Sequence, residues 1–167
     1  MPQPTRVSQS TIKRQARINL DQIATASIRH EWRNSDRGRK MLKIDSTTPS
    51  SKFIKLISNP DLSRSAASTI SQLRITHIPL NSYLKRCKKT DSSRCPACGA
   101  ENESITHFLL VCPSYAHERW LLHRQARKKK PLTLQLLLGD PNMTAHLANY
   151  IDATHRFKRK PGEQTDS

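Results

Sequence analysis

Residues 95–112 read Cys95-Pro96-Ala97-Cys98-Gly99-Ala100-Glu101-Asn102-Glu103-Ser104-Ile105-Thr106-His107-Phe108-Leu109-Leu110-Val111-Cys112. The spacing Cys95-x2-Cys98-x8-His107-x4-Cys112 supplies three thiolates and one imidazole, a full tetrahedral donor set for zinc. A two-residue spacer lets both sulfurs of the first pair face one ion, and Gly99 permits the tight backbone that follows. Two ligands therefore come from a loop. Glu103 and Ser104 then open a predicted helix whose apolar residues are Ile105, Phe108, Leu109 and Val111. His107 falls in its second turn and Cys112 at its end, just before Pro113, so the other two ligands come from a helix. Glu101 and Glu103, on the approach to that helix, are expected to favour its N-terminal dipole.

Two other readings of the cysteines compete. A C-x-x-C pair can be a redox site, but such sites begin a helix after a strand, and nothing strand-rich precedes Cys95. Metal-free buried cysteines are the second alternative, made less attractive by the extra His and Cys at short spacing. Cys87 stands outside the set and is expected to be a small, partly buried residue. Four protein ligands leave no open coordination position, so the expected role of the ion is structural, not hydrolytic. Three thiolates around a divalent ion leave the site net negative, and Lys88, Lys89 and Arg94 are close in sequence to offset that charge.

Working outward, the chain has 167 residues and a net charge of +16, from 29 Lys and Arg against 13 Asp and Glu. That length suits one ordinary domain with tails and excludes a polymerase with palm, fingers and thumb. The charge points to a polyanionic partner. Hydrophobic residues at 35% and aromatics at 5% imply a modest core. The longest apolar run, residues 108–112, is far short of the roughly 20 needed to cross a bilayer. The polar start, Met1-Pro2-Gln3-Pro4-Thr5-Arg6, has no secretory pattern behind it, so an intracellular location is expected; within the cell the nucleus is the expected compartment.

Over residues 11–32 the apolar positions Ile12, Ala16, Leu20, Ile23 and Ile28 recur at helical intervals among Arg and Lys, which reads as a basic amphipathic helix. Such a helix also keeps an anionic-membrane surface in view. Ser46-Thr47-Thr48-Pro49-Ser50-Ser51 reads as a linker. Residues 52–58 are too short a mixture to separate strand from helix. Asn59-Pro60-Asp61 predicts a helix start with a capping carboxylate, and Leu62, Ala66, Ile70 and Leu73 place one face of that helix on a core as far as about Ile75. Past Pro79, residues 81–86 make a short helix turning Tyr83 and Leu84 inward. Residues 114–128 predict a helix carrying Tyr115, Trp120, Leu121 and Leu122. Pro131 just inside and Gly139 just past the end delimit another around Leu134, Leu137 and Leu138. Residues 143–157 close the domain with Leu147, Tyr150 and Ile151 on one stripe. Lys158-Arg159-Lys160-Pro161-Gly162 and the polar end to Ser167 have nothing apolar to anchor them and are expected to be disordered. The fold class is thus all-α: a small irregular helical domain around one structural zinc, with a basic helical arm (1–45), the zinc-binding domain (46–157) and a tail (158–167).

Catalytic groupings are missing from this pattern. No paired aspartates suited to two magnesium ions occur, no carboxylates spread on strands, no Gly-rich phosphate loop and no framed nucleophile. Positive charge, by contrast, is grouped over residues 33–43, 85–94, 124–130 and 156–160. The strip Lys85, Arg86, Lys88, Lys89 and Arg94 adjoins the zinc loop, and Arg124, Arg127, Lys128, Lys129 and Lys130 form a second candidate nucleic-acid contact. Tyr83, Tyr115 and Trp120 are able to stack on unpaired bases, although a chain so poor in aromatics is expected to spend them on its core.

Asp61-Leu62-Ser63-Arg64, the block Gln72-Leu73-Arg74-Ile75-Thr76-His77-Ile78-Pro79-Leu80-Asn81-Ser82-Tyr83-Leu84, the pair Cys95-x2-Cys98, then Glu103-Ser104-x2-His107 and Cys112-Pro113 together resemble a known region. It is the C-terminal zinc-binding region of non-LTR (LINE-type) retrotransposon reverse transcriptases, particularly fungal ones. The resemblance covers roughly residues 32–157. It departs where the family often has Thr-Gly-His and this chain has Ile75-Thr76-His77. It implies zinc ligation by Cys95, Cys98, His107 and Cys112, and help in binding RNA or target DNA during reverse transcription. The polymerase and ribonuclease H residues of such proteins have no counterpart here. The expected function is therefore that of a non-catalytic, zinc-stabilised nucleic-acid-binding module. The alternative is a structural domain that docks on the polymerase or another protein without touching nucleic acid.

Overall fold

The computed structural model describes residues 8–46, 57–58, 62–125 and 131–158. Most of the expected linker and of residues 52–58, the predicted start at residues 59–61, the basic positions Arg127, Lys128, Lys129 and Lys130, and the tail from residue 159 lie outside the described residues. The described ones form an all-α structure without strands, as expected. Its helices are α1 (Gln9–Asn34), α2 (Asp36–Ile44), α3 (Arg64–Arg74), α4 (Asn81–Arg86), α5 (Ala116–Gln125), α6 (Leu134–Gly139) and α7 (Thr144–Thr154). Single tight turns over Pro113–Tyr115 and Pro141–Met143 lead into α5 and α7.

Local chemistry sets most boundaries. Ser8 caps α1 by accepting from the Thr11 amide, and Ser35 both ends α1 and caps α2 by accepting from the Gly38 amide at 3.0 Å. Gly38 permits that corner, since a Cβ there would strike the Trp32 backbone. In α3 the cap is Ser63, whose hydroxyl accepts from the Ala66 amide at 3.1 Å, two positions beyond the expected Asp61, which lies outside the described residues. Thr133 caps α6, which puts Pro131 before the helix and Gly139 on its last position, not inside and past it as predicted. The glycine is needed for packing: a Cβ on Gly139 would collide with the Ile44 carbonyl of α2.

The core lies between α3, α5, α6 and α7. Ala66, Ile70 and Leu73 of α3 meet Leu147, Tyr150 and Ile151 of α7, with Leu122 of α5 and Leu137 and Leu138 of α6 closing the cluster. At its centre Phe108 is wholly buried, its ring 5.3–5.5 Å from those of Tyr115, Tyr150 and Phe157. The Tyr150 hydroxyl donates to the Phe108 carbonyl at 2.6 Å, and burial pushes its ionisation up. Tyr115, also buried, is pushed up to about 12 for the same reason.

Exposure also departs from the sequence expectations. Helix α1 forms, yet none of its residues is buried, and Ile12, Leu20 and Ile23 stand 57–67% exposed. The 3–4 spacing marks a stripe; none of the described residues buries it. Trp120, expected in the core, is 51% exposed, because it lies on the face of α5 opposite Leu122. Thr76 adopts the left-handed conformation, φ 60°, so the turn after α3 is made without glycine. The His77 amide donates back to the Gln72 carbonyl at 2.9 Å and fixes it. The preceding Arg74 is 2% exposed and ties three elements together: its guanidinium donates to the Leu138 carbonyl of α6 and to the Asp45 carboxylate beyond α2.

Candidate metal centre

The first pair of ligands sits on a tight loop. The Cys95 amide donates to the Ala100 carbonyl at 2.8 Å and the Gly99 amide to the Cys95 carbonyl at 2.9 Å, folding the two sulfurs toward the same side. Gly99 has φ 74°, and nothing lies within 4 Å of where its Cβ would be, so its requirement is conformational. Two further contacts anchor the loop. The Glu103 amide donates to the Ser93 carbonyl at 2.7 Å, and the Ser114 hydroxyl donates to the Ala97 carbonyl at 2.8 Å, linking the first pair to the chain just beyond Cys112.

The second pair is carried by a wide turn. His107 and Cys112 are five residues apart, and on a regular α-helix five residues advance about 500°, leaving the side chains about 140° apart. The segment His107–Val111 is instead a π-helical turn, closed by the Cys112 amide donating to the His107 carbonyl at 2.7 Å. This i→i+5 closure returns Cys112 to the side of His107, while Phe108 and Leu109 point into the core. The predicted α-helix is corrected accordingly. Its start is as expected: the Ser104 hydroxyl accepts from the His107 amide at 3.1 Å. Val111, read as apolar packing, is 60% exposed.

The four donor atoms of Cys95, Cys98, His107 and Cys112 all lie within 4.8 Å of one another and can hold a metal ion. Cys95 Sγ is 3.9 Å from Cys112 Sγ, and Cys98 Sγ is 3.3 Å from His107 Nε2. Cys95 and Cys112 are buried; Cys98 and His107 are half-buried. Burial pushes the Cys112 thiol up to about 11, whereas the backbone N–H of Ala100 lowers Cys98. An ion entering this site therefore has to displace a proton held by burial. From behind, Arg119 donates to the Cys112 carbonyl at 2.8 Å.

Glu103 is the residue whose role the sequence conceals. Its carboxylate is not a helix-dipole group beside solvent but wholly buried. It accepts from Arg156 Nε at 2.6 Å, from Arg156 Nη2 at 2.7 Å and from the Asn81 amide at 2.7 Å. The bidentate pair joins the end of α7 to the loop that carries the metal ligands and to the start of α4. It also removes Arg156 from the basic surface in which it had been counted. No sequence signal marks this pairing, since its partners are 53 positions apart.

Of the predicted contact residues, the described ones, Lys85, Arg86, Lys88, Lys89, Arg94 and Arg124, are exposed. Arg86 holds its guanidinium 5.1 Å from the centroid of half-buried Tyr83. Cys87 is exposed, not partly buried, because it follows α4 where the chain leaves the core. Among the described residues no helix is long and apolar enough to cross a membrane. No protein-family model, curated protein or solved structure matches this chain.

Proposed function

We propose that the chain is a zinc-stabilised, non-catalytic nucleic-acid-binding module of a mobile-element reverse transcriptase, assisting RNA or target-DNA binding. The observation that carries this reading is a Cys3His donor set with the spacing of one tetrahedral ion, bordered by an exposed cationic strip. Zinc bonds of about 2.3 Å to sulfur and 2.0 Å to nitrogen separate tetrahedral sulfurs by about 3.8 Å and sulfur from nitrogen by about 3.5 Å. The 3.9 and 3.3 Å spacings fit that geometry. Zinc bound here supplies folding energy, because all four positions are filled by protein. The +16 charge supports association with phosphates, and the resemblance to LINE-type reverse transcriptases supports the setting.

Cobalt substitution followed by RNA titration tests the two halves. The metal-loaded protein is expected to show the visible absorption of a tetrahedral thiolate site at one ion per chain. Its affinity for RNA is expected to fall steeply between about 50 and 200 mM salt. A six-coordinate spectrum would sink the zinc assignment, and RNA affinity indifferent to salt would sink the phosphate-binding one. A second reading, docking on a protein partner, is favoured by one observation only: the uncovered Ile12, Leu20 and Ile23 of α1. Salt-independent capture of the parent polymerase, without RNA binding, would favour it.

A further inference from the structure

We infer that the outward face of α5 is a stacking platform for an unpaired nucleobase, so that the polyanion is single-stranded; this rests on the nucleic-acid reading above. On α5 the positions 117, 120, 121 and 124 share one stripe, and Leu122 is buried on the opposite side. Trp120, the largest side chain on that stripe, is 51% exposed, although indole area is usually spent on a core or an interface. Its orientation is nevertheless set. The Arg124 guanidinium carbon lies 4.7 Å from the ring centroid, and the His117 ring lies 6.1 Å away at an interplanar angle of 27°. Those neighbours come from the turns after and before Trp120, so the three π-systems run along the helix axis. A base joining such a column finds an aromatic already positioned, which lowers the ordering cost of binding.

Charge then selects the partner. The stripe carries Arg124 and no carboxylate, and the sequence continues into Arg127, Lys128, Lys129 and Lys130. The charge on this face is cationic, and a nucleotide offers it both a π-face and a phosphate. In a duplex the base faces are occupied by their stacked neighbours, so only an unpaired strand can add a base to the column that His117, Trp120 and Arg124 form. RNA and DNA single strands present the same chemistry.

The test uses the full, metal-loaded chain. Trp32→Phe leaves Trp120 as the single tryptophan of the two. Its emission is expected to be quenched by oligouridine or oligothymidine and to stay unchanged with a duplex of equal length. In the native background, Trp120→Leu is expected to weaken single-strand binding about tenfold or more while duplex binding and salt dependence hold, and Trp120→Phe to retain most of the affinity. Circular dichroism checks that both variants remain folded. Unaltered single-strand affinity in Trp120→Leu with unmoved emission would overturn the platform and leave the phosphate-binding function standing. Absence of binding to either form of nucleic acid at about 50 mM salt would overturn both.

Discussion

Helix α1 and the domain built on the Cys3His loop are both helical, but different forces hold them. In α1 no side chain is buried, and order comes from a cap at Ser8, a glycine-assisted corner at Ser35 and the preferences of its residues. A helix held in this way is marginal by itself. In the domain, local preference yields to tertiary demand. His107–Val111 abandons the α-helix for a wide turn so that two ligands share a side, Thr76 accepts a left-handed backbone, and Glu103 gives up water altogether. The contrast shows that helical sequence alone does not define this fold; a few long-range ties do.

The largest way to break that contrast is to remove a ligand. Cys98→Ser is expected to unfold at least residues 87–122, because structural zinc contributes about 10–16 kcal/mol in small fingers against a whole-domain stability of about 5–15 kcal/mol. Limited proteolysis should cut that segment, and a variant as resistant as the wild type would refute the metal-dependent fold. Glu103→Ala comes next. It strands the Arg156 guanidinium and the Asn81 amide, and loss of one partner of a buried pair costs about 3–5 kcal/mol. Urea unfolding of the metal-loaded protein measures it, and a loss below about 1 kcal/mol would mean that the pair does not hold α7 to the loop.

How much of this was legible beforehand follows the same division. Short-range patterns were readable: the four ligands, the limits of α4, and the face Ala66, Ile70 and Leu73 all follow from spacing within a few residues. Long-range ties were not. Nothing near Glu103 announces Arg156, nothing near Arg74 announces Asp45 and the Leu138 carbonyl, and the exposure of Trp120 depends on which side of α5 meets α7. The amphipathic spacing of α1 was legible as a helix but said nothing of a covering surface.

Smaller changes sharpen the comparison. Thr76→Gly removes a β-branched side chain from the left-handed region and is expected to raise stability by about 1 kcal/mol, read as a higher urea midpoint. A lower midpoint would show that the threonine side chain earns its place by contacts. Ser8→Ala, at the other extreme, is expected to fray the start of α1 at a local cost of about 1 kcal/mol and to leave the domain's midpoint within about 0.5 kcal/mol of wild type. Amide exchange resolves the two regions, and a domain-wide loss of protection would show that α1 supports the core after all.

The clasp between Glu103 and Arg156 has a bearing on synthesis. A ribosome delivers Cys95, Cys98, His107 and Cys112 well before Arg156 emerges. On the proposed metal reading, all four donors are made before the counter-ion for Glu103 and the tyrosine that donates to the Phe108 carbonyl, so an ion can be bound before either is in place. Until then the carboxylate stays hydrated and the ligand loop keeps an open flank. Residues 150–156 would then close over a site that is already filled.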